Sequence, residues 1–183
     1  MKKSLSKDEL WTLSYYRASE LAGALFFGRL ARRVDGPELR VFLTEHFAEE
    51  ANHAWLWTDT IVRLGHFPIQ ILETYQSQYA VSAGLPTTMP EILMITKIFE
   101  ERIYEHFTKH AKQKKSHPVV KRTLIKMLKD EDGHLGWIEK SLKSYRKEGV
   151  DVDAIEKRYR DMDKKIYKNM LKYEKKLWSF LGK

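Results

Sequence analysis

Glu131-Asp132-Gly133-His134 and Glu50-Ala51-Asn52-His53 are the two stretches whose reading decides the fold. Each sets a carboxylate and an imidazole three residues apart, which on an α-helix places both on one face about a turn apart. With seven histidines in the chain, one such pair is expected by chance. Two in matching contexts say more. Pro37 lies thirteen residues before Glu50, and Pro118 lies thirteen before Glu131. Upstream of each proline, a segment of helical spacing carries a glutamate on its apolar stripe: Glu20 in the first case, Glu100 in the second. Glu20 to Glu50 is thirty residues and Glu100 to Glu131 is thirty-one. Glu20, Phe27, Arg29, Ala31 and Arg32 align without gaps on Glu100, Phe107, Lys109, Ala111 and Lys112. The chain reads as two degenerate copies of a helical hairpin, each supplying one Glu and one Glu-x-x-His.

This constellation resembles the ferritin-like di-iron superfamily, in its rubrerythrin-like and small di-iron oxygenase branches. There, two helices give one Glu each and two give Glu-x-x-His, all directed into a four-helix bundle. The resemblance covers roughly residues 6–148. It implies an all-α fold, a ferritin-like four-helix bundle with one long crossover, to which this chain adds a fifth, C-terminal helix. It implies six metal ligands: Glu20, Glu50, His53, Glu100, Glu131 and His134. Glu50 and Glu131 would bridge, and Glu20 and Glu100 would be terminal. Four carboxylates and two imidazoles suit two iron ions, with manganese as the alternative. The implied chemistry is oxidation with O2 or a peroxide.

The residues themselves add a physical reason for the metal. Four carboxylates converging in an apolar bundle are costly when empty and ionised. Two divalent cations carry the charge that neutralises them. Ligating histidines usually donate their second N–H to an acid or carbonyl. Glu49 and Asp130 each precede a bridging Glu, and the resemblance pairs Asp130 with His53 and Glu49 with His134. His46, one turn before Glu50, reads as an extra ligand or a substrate contact. Glu101 is the rival of Glu100; the neighbours of Glu100 at i−7, i+3 and i+7 are apolar, whereas those of Glu101 include Lys97, Glu105 and Thr108. Tyr16 and Tyr104 lie one turn from Glu20 and Glu100, as proton or electron relays or as core. His106, His110 and His117 read as surface or turn residues.

Local signals place the helices. The first begins at Ser6, with Glu9 completing a capping box, and runs to about Val34 before Asp35-Gly36-Pro37. The second spans about Pro37 to Leu64 and ends at Gly65. Residues 66–88, punctuated by Pro68, Gly84 and Pro86, hold a short helix over Ile71 to Tyr79. A connection of that length is what a crossover along a bundle requires. The third helix starts near Thr88 with Glu91 in a second capping box, and the fourth runs from Pro118 to Glu148. Residues 1–150 thus form the bundle domain. Residues 151–183 form an amphipathic basic helix, about Asp153 to Leu181, with capping-box spacing between Asp153 and Glu156. Ile155, Tyr159, Met162, Ile166, Met170, Tyr173, Leu177 and Phe180 line one seam. That seam packs on its own bundle, on a partner in a homodimer, or on a membrane or nucleic acid.

Composition narrows the function. The 183 residues suffice for one domain with a sizeable core. No cysteine is present, so thiolate metal sites and a fused rubredoxin-type module are excluded, and any electron donor is separate. The amino terminus, Met1-Lys2-Lys3-Ser4, lacks a signal-peptide apolar run, and no stretch reads as a transmembrane segment; a cytoplasmic protein is the expectation. The net charge of +8 leaves nucleic acid as a less favoured partner, because no RNA-binding motif accompanies it. Three activities fit. The first is a di-iron oxidase, peroxidase or oxygenase acting on O2 or peroxide and a small organic substrate. The others are an iron-storage protein, and an oxygenase similar to the tRNA-hydroxylating ferritin-like enzymes. Phe26, Phe27, Phe42, Phe47, Trp55 and Trp57 suit an apolar substrate channel or an ordinary core.

Overall fold

The computed structural model describes residues 4–82 and 86–182; Met1 to Lys3 and the expected turn residue Gly84 lie outside them. Among the described residues the chain is all-helical, with no strand. The helices are α1 (Lys7–Ala31), α2 (Pro37–Arg63), α3 (Tyr75–Ser82), α4 (Met89–Lys112), α5 (Pro118–Lys147), α6 (Val152–Asn169) and α7 (Leu171–Leu181).

Their ends follow from local chemistry. The Ser6 hydroxyl accepts from the Glu9 N–H at 3.1 Å and caps α1. Gly36, at φ 109°, takes the left-handed turn before Pro37 occupies the first position of α2. Glu91 accepts from the Thr88 N–H at 3.3 Å at the start of α4. His117 caps α5, with Nδ1 accepting from the Val119 N–H at 3.1 Å.

Several expectations are corrected. The Glu9 carboxylate does not close a box with Ser6; it turns to Ser116 and His117 across the α4–α5 connection. Helix α1 stops at Ala31 rather than Val34. The short helix lies at Tyr75–Ser82 rather than Ile71–Tyr79, because Thr74 and Ser77 exchange hydrogen bonds and start it there. The cap of α6 is Asp151, accepting from the Ala154 N–H at 2.9 Å, and not Asp153. The fifth helix is two helices, α6 and α7, broken at Met170. Neither proline nor glycine stands at that break. It coincides with the passage of the seam from one apolar cluster to another, described next.

Ring contacts set the helix directions. Tyr16 meets Trp57 and Phe27 meets His46, so α1 and α2 run antiparallel. Tyr16 also meets Phe107, and Phe26 meets Phe99, so α4 runs antiparallel to α1 as well. Thr60 bonds Thr123 and Phe42 stacks on Trp137, so α5 runs antiparallel to α2. One apolar cluster holds Phe26, Leu43, Phe99 and Ile138, and the other holds Tyr16, Trp57, Ile103 and Met127. On each of these four helices a glutamate falls between the two clusters: Glu20, Glu50, Glu100 and Glu131. Each large buried side chain contributes about 1.5–3 kcal/mol, so the clusters hold the carboxylate layer in place and keep water from it.

The C-terminal seam is covered by its own chain. Tyr159, Ile166 and Met170 join the first cluster, and Leu177, Phe180 and Leu181 join the second. No helix among the described residues is long and apolar enough to cross a membrane.

Candidate metal centre

The four glutamates of the polar layer are buried, as is His53, and His134 is half-buried. Two groups of potential ligands form. Glu20, His53 and Glu131 make one; Glu100, His134 and His46 make the other. Within each, one ligand atom per residue lies within 4.8 Å of the others. The two groups draw on α1, α2, α4 and α5, so only the folded chain assembles them. Glu50 belongs to neither group, but its carboxylate acts on Glu20 of the first and Glu100 of the second. It leans towards α1, where Gly23 leaves it room: a Cβ on Gly23 would stand 2.9 Å from Glu50 Oε2.

Acids stand behind the two motif histidines in the crossed pairing expected from the resemblance. His53 points Nδ1 at Glu131 Oε1 (3.5 Å) and Nε2 at Asp130 Oδ2 (3.7 Å). His134 points Nδ1 at Glu100 Oε1 (3.5 Å) and Nε2 at Glu49 Oε2 (3.4 Å). Each acid thus orients a ring whose other nitrogen faces the carboxylate layer. Glu101 faces outward, bound to Arg160 at 2.9 Å, so α4 presents Glu100 to the centre.

The polar layer is electrostatically unsettled. Both carboxylate oxygens of Glu20 and Glu100, one of Glu131, and His53 Nδ1 and His134 Nδ1 are buried without a hydrogen-bond partner. Such atoms are rare in folded proteins, and a bound ion is one way to satisfy a group of them that converges. Burial pushes the Glu20 carboxyl well above its usual range, and the charges of Glu50 and Glu131 push it further. Burial and the charge of Glu100 raise Glu131 likewise. Burial lifts Glu50 to about 7. Burial also pushes Glu100 up, but the neighbouring Glu131 carboxyl and the His134 and His46 rings outweigh it and hold Glu100 below the usual range. Burial lowers His53. Burial would lower His134 too, but Glu100 and Glu131 raise it to about 11. Buried carboxylates and imidazoles whose protonation is shifted by burial and by one another are a donor set that metal cations would satisfy.

Beside the centre, a cavity of about 300 Å³ lies between α2 and α5, lined by Phe42, Glu45, His46, Glu49, His134 and Trp137. Of the six aromatics suited to a channel, Phe42 lines it. Phe26, Phe27 and Trp57 are core, and Phe47 and Trp55 are exposed. Tyr16 is buried with its hydroxyl unpartnered, beside a small void that also touches Glu20. Tyr104 is half-buried and borders neither that void nor the ligand groups. His106 and His110 are neither surface nor turn residues but are buried within α4, whereas His117, also buried, does stand in the turn that caps α5. His106 lies 3.6 Å from Glu174, and His110 lies 3.4 Å from Glu9. Gly23 escaped the sequence reading, although a signal was present: the matching position of the second copy is Ile103. No protein-family model matches the chain, and neither a curated protein nor a solved structure matches it.

Proposed function

We propose that this chain is a dinuclear metal oxidoreductase of the ferritin-like kind, binding two iron ions, or manganese, and acting with O2 or a peroxide. One observation carries the reading: partnerless buried ligand atoms from four helices converge in two adjacent groups, each with an acid-braced histidine. The helix directions support the bundle. Helices α2 and α4 both run antiparallel to α1 and so run the same way, the arrangement that a crossover over residues 66–88 would join.

Two redox-active ions, when bound, would supply two electrons to O2 or a peroxide. Glu20, Glu50, His53, Glu100, Glu131 and His134 would hold them, with Glu20 and Glu100 as terminal ligands and Glu50 and Glu131 as the shared carboxylates that the resemblance implies. Asp130 and Glu49 hold His53 and His134 with Nδ1 inward. The apolar clusters exclude water on either side of the layer. The cavity beside His134 admits a small substrate, and electrons come from a separate donor.

Anaerobic reconstitution with ferrous iron tests this. The wild type should hold about two ions per chain, as such bundles do, and Glu50→Ala with Glu131→Ala should hold none. Fewer than one iron in the wild type sinks the reading. Consumption of O2 and of peroxide by the loaded protein then separates oxidase from peroxidase chemistry. A particle of twelve or more subunits by light scattering would promote iron storage instead.

A further inference from the structure

The two hairpins match at all six positions but diverge one turn before each Glu-x-x-His. In the second copy that position is Met127, four residues before Glu131 and buried in the apolar cluster. In the first copy it is His46, four residues before Glu50 and on the same face. His46 is 5% exposed, and its Nε2 has no hydrogen-bond partner. That nitrogen lies 3.6 Å from Glu100 Oε1, the oxygen that His134 Nδ1 also faces. On its other side, His46 Nδ1 lies 3.4 Å from Glu49 Oε2, the oxygen that braces His134. One carboxylate thus stands behind two imidazoles whose inner nitrogens meet one carboxylate oxygen in front. Phe27, edge-on at 4.6 Å, and Phe42, stacked at 5.4 Å, fix the ring. His106 and His110 also bury an unpartnered nitrogen, each beside a single acid outside the layer; His46 differs in having an acid behind and an open nitrogen aimed at the carboxylate oxygen that His134 faces, as a ligating histidine would.

Resting on the dinuclear reading, we infer that His46 is itself a metal ligand, so that the two ions occupy unequal subsites. Glu100, His46 and His134 form a nitrogen-rich subsite, and Glu20, His53 and Glu131 form a carboxylate-rich one. Imidazole favours later ions such as Zn2+, whereas carboxylate suits Mn2+. The cavity between α2 and α5 borders His46 and His134 but none of Glu20, His53 and Glu131. The nitrogen-rich ion is therefore the one that exchanges with solvent and the one that an entering small molecule meets.

Titration of the metal-free protein with Co2+, followed by absorption and calorimetry, tests this without turnover. The wild type should take about two ions in two resolved steps. His46→Phe keeps the aromatic packing and removes the nitrogen; it should leave one step near its wild-type affinity and weaken the other by about 100-fold or more. His46→Met, which puts at this position the residue that the second copy carries as Met127, should weaken that same step likewise, and it decides the matter if His46→Phe does not fold. Two ions bound by a folded His46→Phe or His46→Met at unchanged affinities would make His46 a packing residue and overturn the inference. A wild type that takes up neither Co2+, Fe2+ nor Mn2+ would instead sink the dinuclear reading beneath it.

Discussion

The Glu50 carboxylate lies against Gly23, where a methyl group would stand 2.9 Å from Oε2. Gly23 sits within α1, where alanine favours the helix by about 1 kcal/mol. Gly23→Ala should therefore leave the fold intact and move the carboxylate. Its metal affinity should fall by at least about 10-fold, the effect of misplacing a ligand's support, while its melting temperature without metal holds or rises. Calorimetric metal titration beside thermal melts checks this. Unchanged affinity would remove Glu50 from the ligand set.

Glu100 and Glu101 are neighbours with opposite surroundings. Glu100 is buried among the ligand groups, and Glu101 is bound to Arg160 at the surface of α4. Glu100→Ala should lower metal stoichiometry severely. Glu101→Ala removes a half-exposed ion pair worth about 0–1 kcal/mol and should leave stoichiometry near wild type. The reverse ranking, by elemental analysis after reconstitution, would put the metal elsewhere.

Glu9 ties the start of α1 to the α4–α5 connection. Burial pushes its carboxyl up, but hydrogen bonds from His110, Ser116 and the His117 N–H outweigh it and hold it below the usual 4.5. A carboxyl lowered by folding stabilises the fold above its unfolded pKa, and that contribution disappears as the pH falls through its folded value. Glu9→Gln should cost roughly 1–3 kcal/mol near neutral pH. The gap from wild type should shrink as the pH drops below about 4.5. Urea unfolding across that range measures it; a constant gap would show that charge is not what Glu9 supplies.

Residues beyond Gly149 cover both apolar clusters, with Tyr159, Ile166, Met170, Leu177 and Phe180 buried. A chain ending there loses about 1.5–3 kcal/mol for each such side chain and exposes the surface it covered. It should aggregate or melt far below the full chain. A truncated chain that stays monodisperse in light scattering with an unchanged melting temperature would show that the seam is dispensable to the core.

Much of this molecule is settled by spacing alone. Helical periodicity puts residues three and four apart on one face, so the Glu-x-x-His pairs and the choice of Glu100 over Glu101 follow from the order of residues, whereas the crossed acids behind His53 and His134 come from the family resemblance. The starts of α2, α4 and α5 follow from Pro37, Glu91 and Pro118. Tertiary structure decided what depends on one helix meeting another. His110 looks polar and superficial in sequence, yet Glu9, 101 residues away, lies against it in the interior. Gly23 is an unremarked helix residue until Glu50 comes to rest on it. The break at Met170 has neither proline nor glycine at it; it falls where the seam passes from one cluster to the other. His46 differs from Met127 in the sequence, but only the packed bundle brings its open nitrogen to Glu100 and sets Glu49 behind it. Local propensity and periodicity act within a helix, whereas burial and convergence exist only between helices, and the candidate centre is built from the second kind.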